Sequence, residues 1–242
     1  MLLACTDNAP TSQTQSVIPT TNPVSWYAGY KLPALLEQNI VLESQADVAT
    51  LLDKKWYAEF NVKQIDISDK TYTVSSCSDL TKLDTVKLNT LREKENAPFM
   101  ELLVMCKATK AIVNAKPSQQ SFIQHLTFDK TLPNTLPKSI GLIISDVESK
   151  RKLQDQTLTS WSDINTISSI TDLGQNHSTY VHNDGSQQEL ELVAKGDFNG
   201  DGIEDFLLTS RDSMQGGSYS ATRLFLFSKL SNESGITELT NI

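Results

Sequence analysis

With 242 residues, 38% hydrophobic and 21% charged, the chain is long enough to bury a full core as one large or two small domains. A formal net charge of -8 leaves no basic stripe of the kind that displaces counterions from phosphates, so nucleic acid is excluded as an expected partner. No uninterrupted apolar run reaches the length needed to cross a bilayer, so the body of the chain is expected to be soluble.

The first residues, MLLAC, resemble the end of a bacterial lipobox, in which a small residue precedes a cysteine that becomes lipid-modified. Ala4 precedes Cys5 here, although Leu3 is bulkier than that pattern prefers and no charged or apolar signal region stands before it. Either the true start lies upstream of Met1, or the match is fortuitous. Residues 6–24 are rich in Thr, Ser, Pro, Asn and Gln and lack aromatics, which reads as a flexible tether with a span of roughly 25 Å. For a lipidated Cys5, Thr6 in place of Asp implies export to the outer membrane. Residues 1–5 are thus a lipobox-like remnant, 6–24 a tether, and 25–242 a single α+β domain.

That domain opens on VSWYAGYKLP, whose Trp26, Tyr27 and Tyr30 are candidate contacts for a protein partner, because aromatic anchors dominate interface energetics. The alternative is packing against the domain edge. Ser44, with Asp47 three residues on, predicts a capped helix running through Val48, Leu51 and Leu52 toward Trp56. AEFNVKQIDIS, with Phe60, Val62, Ile65 and Ile67, predicts a strand, followed by TYTVSSC, a second strand ending at Cys77. PFMELLVMCKATKAIVNA repeats Phe99, Leu102, Leu103, Cys106, Ile112 and Val113 at helical spacing, with Pro98 in the first turn and Pro117 past the end. If Cys5 carries lipid, Cys77 and Cys106 remain as an even pair in an oxidising compartment. A bridge between them would contribute roughly 3 to 4 kcal/mol; the alternative is two separate buried thiols.

After turns at Pro133 and Pro137 comes the apolar run SIGLIIS; residues 146–176 show no assignable pattern. From Ser178 to about residue 230 the pattern is an antiparallel β-meander: STYVH, a turn at NDGS, QELELVA, an acidic loop, DFLLTS, a turn at Gly216-Gly217, and ATRLFLFS. The Gly turn is read as an exposed hairpin tip, with Met214 and Tyr219 as further partner contacts.

The acidic loop, GDFNGDGIEDFLL, concentrates chemistry. Counting from Asp197, side-chain oxygens recur at alternate positions in Asn199 and Asp201 and again at Asp205, while Ile203 offers its main-chain carbonyl. Gly200 and Gly202 let the backbone curl around one point. An oxygen-only donor set without His or Cys suits Ca2+ over softer metals. An EF-hand is excluded because the place of its bidentate Glu is taken by Leu208 and the flanks are strand-like. These residues resemble the D-x-[DN]-x-D-G-x-x-D calcium loop of FG-GAP and VCBS-type repeats, over about residues 188–212. The resemblance implies calcium at Asp197, Asn199, Asp201, Ile203 and Asp205. It does not imply a propeller, because HNDGSQQE and WSDINTISS lack the ligand spacing of a second copy. More loosely, a helix ending near Trp56, Cys77, Cys106 followed by AKPSQQS, and the late loop resemble uncharacterised gammaproteobacterial envelope lipoproteins.

Catalytic signals are thin: there is no G-x-S-x-G elbow or phosphate-cradling loop, and His125, His177 and His182 sit in structural or surface contexts. The expected function is therefore a non-enzymatic, calcium-binding lipoprotein of a Gram-negative envelope, in the periplasm, that binds another protein. An immunity protein neutralising an envelope-acting toxin, such as a type VI secretion effector, fits the size, acidity and location. The alternatives are a structural subunit or assembly factor of an envelope complex, and a hydrolase acting on envelope glycans.

Overall fold

The computed structural model describes residues 21–27, 36, 40–65, 70–85, 88–123 and 126–240. The lipidation candidate Cys5, the partner-contact candidate Tyr30, and Ile67 and His125 lie outside the described residues.

The centre is a twisted antiparallel meander in which β5 (Ile167–Gly174), β6 (His177–His182), β7 (Ser186–Gly196), β8 (Asp205–Met214), β9 (Ser220–Ser228) and β10 (Thr237–Glu238) pair in chain order. The sheet does not close into a barrel. Period-two alternation sends successive side chains to opposite faces. On one face Val193, Ala194, Leu207 and Leu226 join a first core; on the other, Tyr180, Leu190, Leu192, Phe206, Leu208, Phe225 and Phe227 form a second. A bulge between Leu192 and Ala194 makes the switch, and there β7 exchanges β6 for a new neighbour, β1 (Ser25–Trp26).

The Val193 face is covered by α3 (Asn96–Asn114). Phe99, Leu102, Leu103, Cys106 and Ile112 are buried at the predicted spacing, and Val113 is half-buried. Val104, Met105 and Ala108 are buried too, because the helix is wedged between the meander and a second layer. That layer holds α1 (Gln45–Thr50) and a small sheet in the order β3 (Thr71–Val74), β2 (Phe60–Gln64), β4 (Leu88–Thr90). The Ser44 cap is a complete capping box: its hydroxyl accepts from the Asp47 N–H, and the Asp47 carboxylate accepts from the Ser44 N–H. α1 stops at Thr50, short of Trp56. Its Gln45 amide donates to the carbonyls of Ile112 and Ala115, tying α1 to the C-terminus of α3.

Cys77 and Cys106 form a disulfide with their Cα atoms 5.4 Å apart. Cys77 does not end the strand as expected. β3 stops at Val74, and Cys77 opens a four-residue helix, α2 (Cys77–Leu80), because the Ser76 hydroxyl caps the Asp79 N–H. β2 is likewise shorter than expected: Ile65 lies in a turn, 37% exposed.

The opposite core is closed by Ile123, α4 (Leu132–Thr135), the 3-10 turn Lys138–Ile140 and Trp161. SIGLIIS forms no strand; it is a 3-10 turn followed by an extended segment whose Leu142 main chain pairs with the Asn165 amide. The unassigned stretch 146–176 contains α5 (Asp146–Gln154), the 3-10 turn Trp161–Asp163 and β5, so the meander begins at Ile167 rather than Ser178. The expected tether also ends earlier than residue 24. Asn22 pairs with Ser118, and Val24 packs into the first core. Among the described residues, no helix is long and apolar enough to cross a membrane.

Candidate cation site

The acidic loop closes the β7–β8 hairpin, where Gly196 pairs with Asp205. Gly200 and Gly202 adopt φ of 85° and 83°, the left-handed region in which a side chain is strained, so the chain can reverse twice within a few residues. Asp197 is 4% exposed and holds the turn from inside: its two carboxylate oxygens accept the N–H groups of Gly200 (2.6 Å) and Gly202 (3.0 Å). At the exposed rim, Asn199 Oδ1 accepts from the Asp201 N–H and Asp201 Oδ1 from the Ile203 N–H, while Asn199 Nδ2 donates to Asp201 Oδ2.

A strap from the end of α3 embraces the loop. Lys116 and Asp197 exchange N–H and carbonyl at 2.9 Å in both directions. The Gly202 carbonyl accepts from Gln119 and Gln120, the Glu204 N–H donates to the Gln120 carbonyl, and the Ser121 hydroxyl donates to the Glu204 carboxylate. Behind the strap, Asn22 and Ser118 exchange two further main-chain bonds. A Cβ on Gly196 would lie 3.2 Å from Val24 and 3.4 Å from Ala115, so the three segments meet with little room to spare.

Asp205 sits beneath this loop, fully buried. Its Oδ2 accepts from the Phe198 N–H at 3.1 Å, and the buried Ser228 hydroxyl lies beside the same carboxylate. Burial pushes its carboxyl up to about 6 against the opposing hydrogen bonds of the Ser228 hydroxyl and the Phe198 N–H, and the neighbouring negative charges of Asp201 and Asp197 add to the rise. A carboxylate buried this deeply is costly, and a cation is one way to offset that cost. The donor set of Asp197, Asn199, Asp201, Asp205 and the Ile203 carbonyl fits a hard divalent cation and offers no soft ligand. Among the described residues, no three His, Cys, Asp or Glu side chains gather as a ready-made metal cluster, and the loop carboxylates are turned toward main-chain N–H groups.

The other singled-out residues lie elsewhere. Trp26 is half-buried against the first core. Tyr27 packs against the second, its N–H donating to the Val193 carbonyl. Met214 and Tyr219 are half-buried at the base of the β8–β9 hairpin, and only residues 215–218 form the exposed tip. His177 hydrogen-bonds Glu189 at 2.9 Å. His182 is 2% exposed, with Nδ1 2.7 Å from the Ser186 hydroxyl, which in turn donates to Asp184. Here the aspartate holds the hydroxyl rather than the imidazole, and Ser186 is 1% exposed, so the trio lacks the order and the access of a hydrolytic triad.

A buried polar network escaped the sequence reading. Asp212, fully buried, pairs with Arg223 Nε at 2.6 Å and accepts from Gln188 and Ser210. Arg223 and Gln188 both donate to the Ile140 carbonyl, tying three strands to the 3-10 turn beneath them. The signal was present: Gln188, Ser210 and Asp212 occupy core-facing positions in register with Leu190 and Leu208. Polar residues at inward positions mark such networks.

No family model, no curated protein and no solved structure matches this chain.

Proposed function

We propose that the protein is a calcium-stabilised, non-enzymatic binding module of a Gram-negative envelope, which presents a rigid surface to another protein. The observation that carries the calcium reading is Asp205, a fully buried carboxylate beneath a loop whose Asp197, Asn199 and Asp201 supply further oxygen donors. A cation there would join β7, β8, the strap and the N-terminal segment at one point. Neutralisation of an envelope-acting toxin remains the specific form of the proposal, through the exposed β8–β9 tip and the outer parts of Trp26 and Tyr27. Tethering through a lipidated Cys5 belongs to the same proposal.

Calcium is tested by thermal unfolding with saturating Ca2+ and with EDTA. A ligand at one hundred times its dissociation constant stabilises the native state by about 2.7 kcal/mol, which raises the melting temperature of a chain this size by roughly 5 °C or more. Asp201→Ala removes an exposed ligand without disturbing the buried turn, so its melting curve becomes insensitive to EDTA. If EDTA leaves the unmodified protein unchanged, the calcium reading is wrong. Partner binding is tested separately, with a photo-cross-linking residue at exposed Gln215. A single stoichiometric adduct that is lost on shortening the tip supports the binding reading; adducts of no fixed partner count against it.

A further inference from the structure

Beyond the strap that embraces the acidic loop, the second core opens to solvent through a cleft of about 420 Å³ lined from Phe122 onward. That volume falls within the range of small-molecule sites, roughly 300 to 1,000 Å³. Its floor is apolar: Ile123 and Leu132 are core residues, and Phe122, Leu126 and Ile236 complete it.

Both walls are fixed by their own hydrogen bonds. On one side, Asp129 accepts from the hydroxyls of Thr127 and Thr131 and from the Thr131 N–H, while Tyr180 and Ser178 donate to the carbonyls of Asp129 and Phe128. On the other, the loop from β9 to β10 is closed by reciprocal Ser231–Ser234 bonds. The cleft is therefore preformed, and binding requires little reorganisation.

The chemistry of the lining selects the ligand. The hydroxyls of Thr127, Thr131, Thr135 and Ser234 already donate within their own walls. What remains uncommitted among the described residues is the Lys229 ammonium and the side-chain amides of Asn134 and Asn232. Lys229 is the one charged residue among the described lining residues, in a chain whose net charge is -8. An apolar floor under a single cation and two amides complements an apolar body with one anionic end.

We infer that this cleft binds a small amphipathic monocarboxylate, with its chain or ring system on Ile123, Leu126 and Ile236 and its carboxylate at Lys229. The inference is independent of the calcium loop and of the protein partner.

The test uses the whole chain with 13C-labelled methyl groups, titrated with decanoate and, for comparison, decan-1-ol. Decanoate is expected to shift the methyl signals of Ile123, Leu126 and Ile236 and to bind more tightly than the alcohol. Lys229→Gln is expected to weaken decanoate by about fivefold, the scale of an exposed charge pair, and to leave the alcohol unchanged. Gly235 lines the cleft and has open space around the place of a Cβ, so Gly235→Trp can cover the mouth without straining the fold. It is expected to abolish binding of both compounds. The inference is overturned if millimolar decanoate moves none of these methyls, if Gly235→Trp binds as the unmodified chain does, or if Lys229→Gln leaves the preference for the carboxylate intact.

Discussion

At the scale of single residues, the most consequential feature is ionisable groups kept from water. His182 lies under Trp161 with its ring edge-on, and its Nε2 is buried without a partner. Because the Ser186 hydroxyl gives its proton to Asp184, the imidazole donates through Nδ1, and Nε2 is the bare nitrogen. Burial holds its pKa below 6.5, while Asp184 and Asp212 pull weakly in the opposite direction. The sign follows from linkage. Above pH 6.5 the ring is neutral in both states; as pH falls below that, the unfolded chain takes up a proton that the native state refuses, and stability is lost. Urea midpoints at about pH 7.5 and about pH 5.5 should therefore fall further for the unmodified protein than for His182→Gln. Equal losses in the two proteins would mean that His182 is not held neutral by the fold.

At the scale of elements, legibility tracked burial. α3 shows its period in the sequence because it is covered on most of its circumference, and β7 to β9 show theirs because each strand separates two cores. α5 buries none of its described side chains, and β5 is an edge strand exposed at most positions, so neither leaves a hydrophobic period to detect. A local signal could still have found α5. SDVE places Ser145 three residues before Glu148, and the Ser145 hydroxyl does accept from the Glu148 N–H. The turn between β7 and β8 was legible from its Gly and Asp spacing, whereas the strap that embraces it was not, because main-chain pairing between Lys116–Gln120 and Asp197–Glu204 leaves no side-chain pattern. The disulfide joins two such elements, closing a separation of 29 residues between α2 and α3. Loop-closure entropy assigns it about 3 to 4 kcal/mol. Reduction, or the double substitution Cys77→Ala and Cys106→Ala, should lower the melting temperature by roughly 10 °C. A shift of only a degree or two would show that the loop is already restrained in the unfolded chain.

At the scale of the whole molecule, the meander is a plate with a core on either side, and the acidic loop lies at one end of it. There the N-terminal segment, the exit from α3 and the β7–β8 hairpin are joined chiefly by main-chain bonds, with the Ser121–Glu204 side-chain bond and the contacts of Val24 and Ala115 near Gly196 added to them. Regions held by such bonds open locally at lower free energy than the cores they border. Asp197 is the hub of that region, because one carboxylate organises the turn on which the strap rests. Asp197→Ala removes two acceptors from buried or half-buried N–H groups, at about 1 to 3 kcal/mol each. The consequence should be unevenly distributed. Amide hydrogen exchange is expected to accelerate at Asn22, Lys116, Gln119, Gln120 and Glu204, whose N–H groups donate within this region. The β8–β9 ladder around Leu207 and Leu208, buried on both faces, should keep its protection. Calcium, if it binds, should slow the same five amides in the unmodified protein, and the substitution should erase that response. Uniform acceleration across both sets would mean that the loop opens only when the whole molecule unfolds, and the idea of a locally hinged corner would have to be given up.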